Sequence, residues 1–333
     1  MKFYPDNRDK VDKLKWYSLK RVFSFAVKRM YIVGGRRYGK TYSIKNFLIK
    51  DFIKHGHKFA WIRSTDTALD KIRQPLQFFG RIKNLKELGV EKYDISKDII
   101  YINGKPAGYL FAVSTFHNVK GADYDCINGC WDEFMRAKGE RPVPGKREKF
   151  NDLCESVFRD TGARIFAISN STNQFDEVLE PFGLTLKEYG CYLFRELDAV
   201  IHYVQPSKEH NATFEGSLSF LGMTTQEKKM VVDNKFTSYG DFGKQPKGKY
   251  LYTLQVDDDK FLNLFLNVSE NVMYVKSGLM EGSIIYTLES EYVNSAVKRL
   301  SQEGKKILKR YYDNGKIIFF DGYCRTMFQA TVE

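Results

Sequence analysis

Met30-Tyr31-Ile32-Val33-Gly34-Gly35-Arg36-Arg37-Tyr38-Gly39-Lys40-Thr41 decides the fold. Its last eight residues fit G-x-x-x-x-G-K-[ST], the phosphate-binding loop of nucleoside triphosphatases. Gly34 and Gly39 permit backbone angles and close approaches that a Cβ forbids. The amides of Gly35, Arg36, Arg37 and Tyr38 then point at phosphate oxygens, and the following helix presents its positive end. Lys40 adds a point charge, and the Thr41 hydroxyl suits Mg²⁺. The flanks agree. Met30–Val33 reads as a short buried strand. Ile44, Phe47, Leu48 and Phe52 recur at helical spacing, Gly56 is placed to stop that helix, and Lys58–Ile62 reads as the next strand.

Further strand-like runs lie at 98–102, 109–113, 126–131 and 164–168, alternating with helical stretches. That alternation predicts an α/β sheet covered by helices over residues 1–204. Asn103-Gly104 between two apolar runs predicts a hairpin. Basic residues 1–29 carry Leu14, Tyr17, Val22 and Phe25 at spacings that suggest helix on the core, their charges on a solvated face or in contact with nucleic acid. Residues 205–243 read as a connecting segment with a helix near Thr225–Asn234. Residues 244–333 read as a small α+β domain: strands at Tyr250–Val256, Phe261–Val268, Val272–Val275 and Ile284–Leu288, a basic helix over Glu291–Tyr311, and a strand at Ile317–Phe320.

The chain has 333 residues, 43% hydrophobic and 15% aromatic, which excludes a disordered protein and is enough for two domains. Its net charge of +12 fits a polyanionic partner or a merely basic surface. No apolar run reaches the length of a membrane span, and the first residues lack the apolar core of a signal peptide. Cys126, Cys130, Cys154, Cys191 and Cys324 form no metal-ligand spacing; an odd set reads as small buried residues in a reducing cytoplasm.

Cys126-Ile127-Asn128-Gly129-Cys130-Trp131-Asp132-Glu133 supplies the second signal. A strand ending Asp-Glu is the Walker B pattern: Asp132 holds the metal's water shell or Thr41, and Glu133 orients and deprotonates the attacking water. Asn128 and Gly129 are poor strand formers and depart from that pattern. In Arg164-Ile165-Phe166-Ala167-Ile168-Ser169-Asn170, an apolar strand ends on a small polar residue, which places Asn170 as a γ-phosphate sensor or as an ordinary turn residue.

The order of these parts resembles the DNA-packaging ATPases of φ29-type tailed phages, in the terminase-like, FtsK/HerA-like branch of ring ATPases. The matching stretches are Val33-Gly34 through Thr41, Asp132-Glu133-Phe134, Val157-Phe158-Arg159, Ile168-Ser169-Asn170 and Tyr101-Ile102-Asn103-Gly104-Lys105-Pro106-Ala107-Gly108. The resemblance implies an ASCE-type P-loop NTPase domain followed by a degenerate ribonuclease-H-like domain. It implies ATP and Mg²⁺ as ligands, with Lys40, Thr41 and Asp132 at nucleotide and metal, and Glu133 as the base. It places Arg159 as an arginine finger and Lys120 as a second basic residue, both acting on the neighbouring subunit's ATP. Arg63 matches a basic residue that restrains the glutamate, and either Arg36 or Arg37 is the loop arginine. Implied partners are double-stranded DNA, further copies in a ring of five, the capsid portal and a structural packaging RNA, at a procapsid in the host cytoplasm.

In the second domain Asp257-Asp258-Asp259 before Lys260 reads as a hairpin turn; with Asp321 these are the carboxylates available to a nuclease, and no cleavage activity is expected. Lys298, Arg299, Lys305, Lys306, Lys309 and Arg310 offer a polyanion surface or a solvated face. Two other readings of the chain stand beside the motor: a P-loop kinase, which Glu133 disfavours, and a non-catalytic DNA-binding capsid protein, which the intact motifs disfavour.

Overall fold

The computed structural model describes every residue except 12, 15, 120–122, 136–142, 144, 160–161, 171–175, 177, 185, 187, 216–245, 315, 321 and 333. Lys120, Asp321 and the helix expected near Thr225–Asn234 therefore lie outside the described residues. Contact density divides the chain into two compact units, one holding nearly all residues up to Thr237 and the other holding Ser238–Glu333.

The first unit is built on ten strands: β1 (Lys2–Pro5), β2 (Arg29–Val33), β3 (Lys58–Arg63), β4 (Tyr93–Ser96), β5 (Ile99–Ile102), β6 (Lys105–Ala112), β7 (Cys126–Asp132), β8 (Arg164–Ser169), β9 (Gly190–Phe194) and β10 (Ala199–Tyr203). They form one sheet in the order β1-β9-β10-β2-β8-β7-β3-β6-β5-β4. The pairs from β10 through β6 are parallel, and antiparallel strands flank them on both sides. Strands buried on both faces must be apolar throughout. Accordingly Met30 and Ile32 enter one core with Phe59 and Trp61, while Tyr31 and Val33 enter the other with Ala60 and Ile62.

The helices are α1 (Arg8–Val11), α2 (Lys20–Phe23), α3 (Lys40–His55), α4 (Asp66–Asp70), α5 (Pro75–Phe79), α6 (Lys146–Phe158) and α7 (Lys208–Glu215). Ile44, Leu48, Ile49 and Phe52 set α3 on the first core. Phe150, Leu153, Cys154, Val157 and Phe158 set α6 on the second. Each such buried side chain contributes on the order of 2 kcal/mol. The Asn103-Gly104 hairpin forms as its dipeptide requires, with φ of 51° and 76° and Ile102 opposite Lys105.

The basic N-terminus differs from the expected helix. It opens with β1, an edge strand beside β9, and holds only the single turns α1 and α2. Tyr17, Val22 and Phe25 are buried, but Leu14 is exposed. Extended pairing of Lys2–Pro5 satisfies backbone groups that a short charged helix would leave to water.

The second unit comprises β11 (Lys249–Asp257), β12 (Lys260–Asn267), β13 (Val272–Ser277), β14 (Ile285–Thr287), β15 (Val297–Arg299), β16 (Ile317–Phe319), α8 (Gln302–Asp313) and α9 (Gly322–Val332). Its sheet runs β15-β14-β11-β12-β13-β16 over a core of Leu254, Leu264, Val275, Leu308, Phe319 and Phe328. Asp257 and Lys260 pair across the β11–β12 turn at 2.6 Å, so the acidic triplet is a hairpin tip. Glu291–Tyr311 is not one helix. The Asn294 side chain accepts the amides of Ala296 and Val297, Val297 is buried in β15, and Ser301 caps the helix start by accepting from Gly304 at 3.1 Å. Lys298 and Arg299 thus lie on a strand, and only Lys305, Lys306, Lys309 and Arg310 lie on α8. The terminal helix α9 had no expected counterpart.

Candidate nucleotide site

Strand order creates this site. β8 lies between β2 and β7, so the phosphate-loop strand and the Asp-Glu strand are next-nearest neighbours. Register puts Val33 opposite Ser169 and Asp132 opposite Ile168, so the loop, Asn170 and Asp132 leave the sheet at one level. Ligands of open α/β sheets bind at such carboxyl edges.

Gly39 caps α3 with φ of +82°, a conformation open to glycine. Gly34 packs so closely that a Cβ there would lie 3.0 Å from the Val204 Cβ. The loop is braced from behind: the Tyr17 amide donates to the Tyr38 carbonyl at 2.9 Å, and the Tyr38 ring is buried edge-on against Tyr17 and His210. Arg36 and Arg37 are exposed, and Arg37 holds φ of +64°.

The Lys40 ammonium donates to the Gly34 carbonyl at 2.9 Å, the Gly35 carbonyl at 2.6 Å and Asn170 Oδ1 at 3.5 Å. Burial pulls it down to about 7, against the attraction of Asp132 and Glu133 and with a further push from Arg36. Thr41 Oγ1 donates to Asp132 Oδ1 at 3.4 Å. A hydroxyl beside a carboxylate is a hard-oxygen donor set of the kind Mg²⁺ takes, and the glycine cradle with its buried ammonium fits a triphosphate.

Arg63, at the end of β3, bridges the carboxylates. Nη1 donates to Asp132 Oδ2 at 2.7 Å and Nη2 to Glu133 Oε2 at 2.5 Å. Burial disfavours the guanidinium charge, yet the two carboxylates outweigh it and hold Arg63 above its ordinary value. For Asp132 burial dominates and raises the carboxyl despite Arg63. Glu133 follows the strand with φ of +61°, its amide donating to the Ile168 carbonyl at 2.8 Å. That turn swings its side chain out, half-exposed, into the grip of Arg63.

Lys40, Thr41, Asp132, Glu133, Asn170 and Arg63 therefore come together. Arg159 is exposed at the C-cap of α6, with φ of 37°. The two irregular residues of β7 also find reasons. Asn128 donates to Asp51 of α3 at 2.7 Å, and a Cβ on Gly129 would lie 2.4 Å from the Phe158 Cζ. The reading of residues missed Lys45, one turn beyond Thr41. It is buried, donates to the Phe78 carbonyl at 2.7 Å and lies 3.9 Å from that ring's centroid. A lysine on an otherwise apolar helix face was its only signal.

The sequence profile of the podovirus DNA encapsidation protein (Gp16) family matches residues 11–330. The DNA packaging proteins of Bacillus phages PZA and phi29 are each 24% identical over 333 residues, covering 95% of this chain and 94% of theirs. The solved bacteriophage Phi-29 viral genome packaging motor assembly has a chain of like fold, with a TM-score of 0.65 at 20% identity over 96% of this chain and 100% of that one. The crystal structure of the N-terminal domain of the phi29 DNA packaging ATPase aligns with a TM-score of 0.50 at 24% identity, covering 56% of this chain and 95% of its own.

Proposed function

The chain belongs to the podovirus DNA encapsidation protein (Gp16) family, and on that premise we propose that it is the ATPase of a motor driving double-stranded DNA into a preformed capsid. The convergence of Lys40, Thr41, Asp132 and Glu133 at one sheet edge supports this reading above all. Thr41 and Asp132 are the residues that would hold a Mg²⁺, whose charge would offset that of the phosphates. Lys40, now turned toward two loop carbonyls, gains a stronger acceptor in a phosphate. Glu133 takes the proton of the attacking water. While Arg63 grips it, that carboxylate is not free to meet a water, so Arg63 works as a brake that must let go before turnover. Asn170, within reach of Lys40, reports the γ-phosphate's presence.

Arg159 and Lys120 are assigned to the neighbouring subunit's nucleotide in a ring of five. A planar, permanently charged guanidinium suits the charge spread over the transferring phosphoryl group, and supplying it across an interface makes each subunit's firing depend on the next. DNA is gripped through its phosphates, independent of sequence and sensitive to salt. The second unit is assigned as a vestigial nuclease-like, nucleic-acid-binding domain: Lys306, Lys309 and Arg310 are exposed along α8. The portal and a structural RNA are its expected neighbours at the procapsid in the host cytoplasm.

Steady-state ATP turnover, measured with and without duplex DNA, tests the proposal. Glu133→Gln should still bind ATP and lose about 10²–10⁴-fold in rate, whereas Lys40→Ala should lose binding. Normal hydrolysis by Glu133→Gln would remove Glu133 as the base and the proposal with it.

A further inference from the structure

We propose that Asp51, His55 and His57 bind one divalent ion of the zinc class at the end of α3 remote from the phosphate loop. Asp51 and His55 are four apart and share a helix face. Gly56 then ends the helix with φ of +74°, its amide bonded to the Phe52 carbonyl at 2.7 Å. That left-handed step returns the chain so that His57, just ahead of β3, faces the same carboxylate. The His55 Nδ1 lies 2.9 Å from Asp51 Oδ1, and the His57 Nδ1 lies 2.9 Å from Asp51 Oδ2. All three ligand atoms fall within 4.8 Å of one another.

Tetrahedral bonds of about 2.0–2.2 Å put ligand atoms roughly 3.4 Å apart, so the two contacts need to open by only about half an ångström. An ion would then take the place of the hydrogen bonds between each Nδ1 and the carboxylate, each neutral imidazole carrying its one proton on Nε2. Two imidazoles and one carboxylate favour zinc, cobalt or nickel over Mg²⁺ and Ca²⁺. Asp51 is 10% exposed while the imidazoles are 45% and 40% exposed, which gives a fixed floor and an open entrance.

An independent observation points the same way. Asn128, wholly buried in β7, donates its amide nitrogen to Asp51 Oδ2 at 2.7 Å, yet its Oδ1 has no hydrogen-bond partner. Buried orphans of this kind are uncommon. With an ion beside the carboxylate, a half-turn of the amide offers that oxygen as a fourth donor. The ion would fasten α3 to the start of β3 and to β7. The cluster of Asp6, Cys191 and His202 differs: Tyr17 and Asp6 occupy both nitrogens of a buried His202, so no ion has access.

The test adds Co²⁺, as a spectroscopic substitute for zinc, to the tag-free full chain without nucleotide or Mg²⁺. One equivalent should saturate visible ligand-field bands without thiolate charge transfer, and Zn²⁺ should abolish them while raising the thermal midpoint. His55→Ala and His57→Ala should each weaken binding at least about tenfold, and Asn128→Ala about 10–100-fold. The glutamine variants of both histidines repeat the test should alanine perturb the fold, which the melting midpoint of the metal-free proteins reports. Absence of saturable bands, an intense thiolate band, or unchanged binding in the double histidine variant would overturn the assignment.

Discussion

Arg63→Ala gives the sharpest test of the candidate site's electrostatics. The guanidinium and Asp132 have side chains only 13% and 12% exposed, so the variant strands a carboxylate in a poorly solvated place. Breaking such a pair from one side costs about 3–5 kcal/mol. Thr41 remains beside Asp132, and Lys45 and Lys40 still attract it, which argues for the lower end. The second arm ends on Glu133, 48% exposed, where water screens the loss to about 0–1 kcal/mol. A net loss near 3 kcal/mol in a unit of this size lowers the melting midpoint by roughly 6–12 °C. The pH dependence carries the diagnosis. Asp132 already titrates above its ordinary value because burial disfavours its charge, and removing Arg63 raises it further. A carboxyl raised in the folded state binds more protons there than in the unfolded chain, so acid stabilises the fold relative to neutral pH. The deficit should therefore be largest at pH 8 and shrink toward pH 5. Differential scanning of both proteins without Mg²⁺ or nucleotide measures it. A shift under about 2 °C, or the same deficit at both pH values, would refute the buried-carboxylate account.

Three further outcomes are expected. Mixing Arg159→Ala with Glu133→Gln subunits should restore part of the ATPase rate, since some interfaces then carry one intact finger and one intact base; no recovery at any ratio argues against a finger supplied across subunits. Lys45, pulled by burial down to about 8 from its ordinary 10.5, carries a penalty that is complete below pH 8 and fades as pH rises toward 10.5, worth up to about 3 kcal/mol; melting of the parent chain should improve across that window and that of Lys45→Met should not, and parallel curves would show that Lys45 is not desolvated. Gly129→Ala should cost about 1–3 kcal/mol by pushing on Phe158, and because Arg159 follows Phe158 it should also slow turnover in assembled rings; an unchanged melt would mean that α6 yields freely.

The legible parts of the site are those set by local chemistry. A left-handed Gly39, a lysine and a hydroxyl in sequence have one common use, and an apolar run ending Asp-Glu has few. Arg63 was legible only through the family resemblance, because a basic residue at a strand end says nothing of where it points. Asn128 and Gly129 read as defects in β7, since neither Asp51 nor Phe158 is near them in the chain. The expected basic helix at Glu291–Tyr311 failed because Asn294 and Ser301 hold local turns whose side-chain bonds compete with helix.

From its sequence alone this protein already read as an α/β chain with a phosphate-loop motif and a strand ending Asp-Glu, because those patterns lie within short stretches and their immediate neighbours. Only the tertiary structure inserted β8 between β2 and β7, levelled Asn170 with the loop and swung Arg63 across both carboxylates. Strand order and register arise from packing two apolar faces at once, and no short stretch of the chain contains that information.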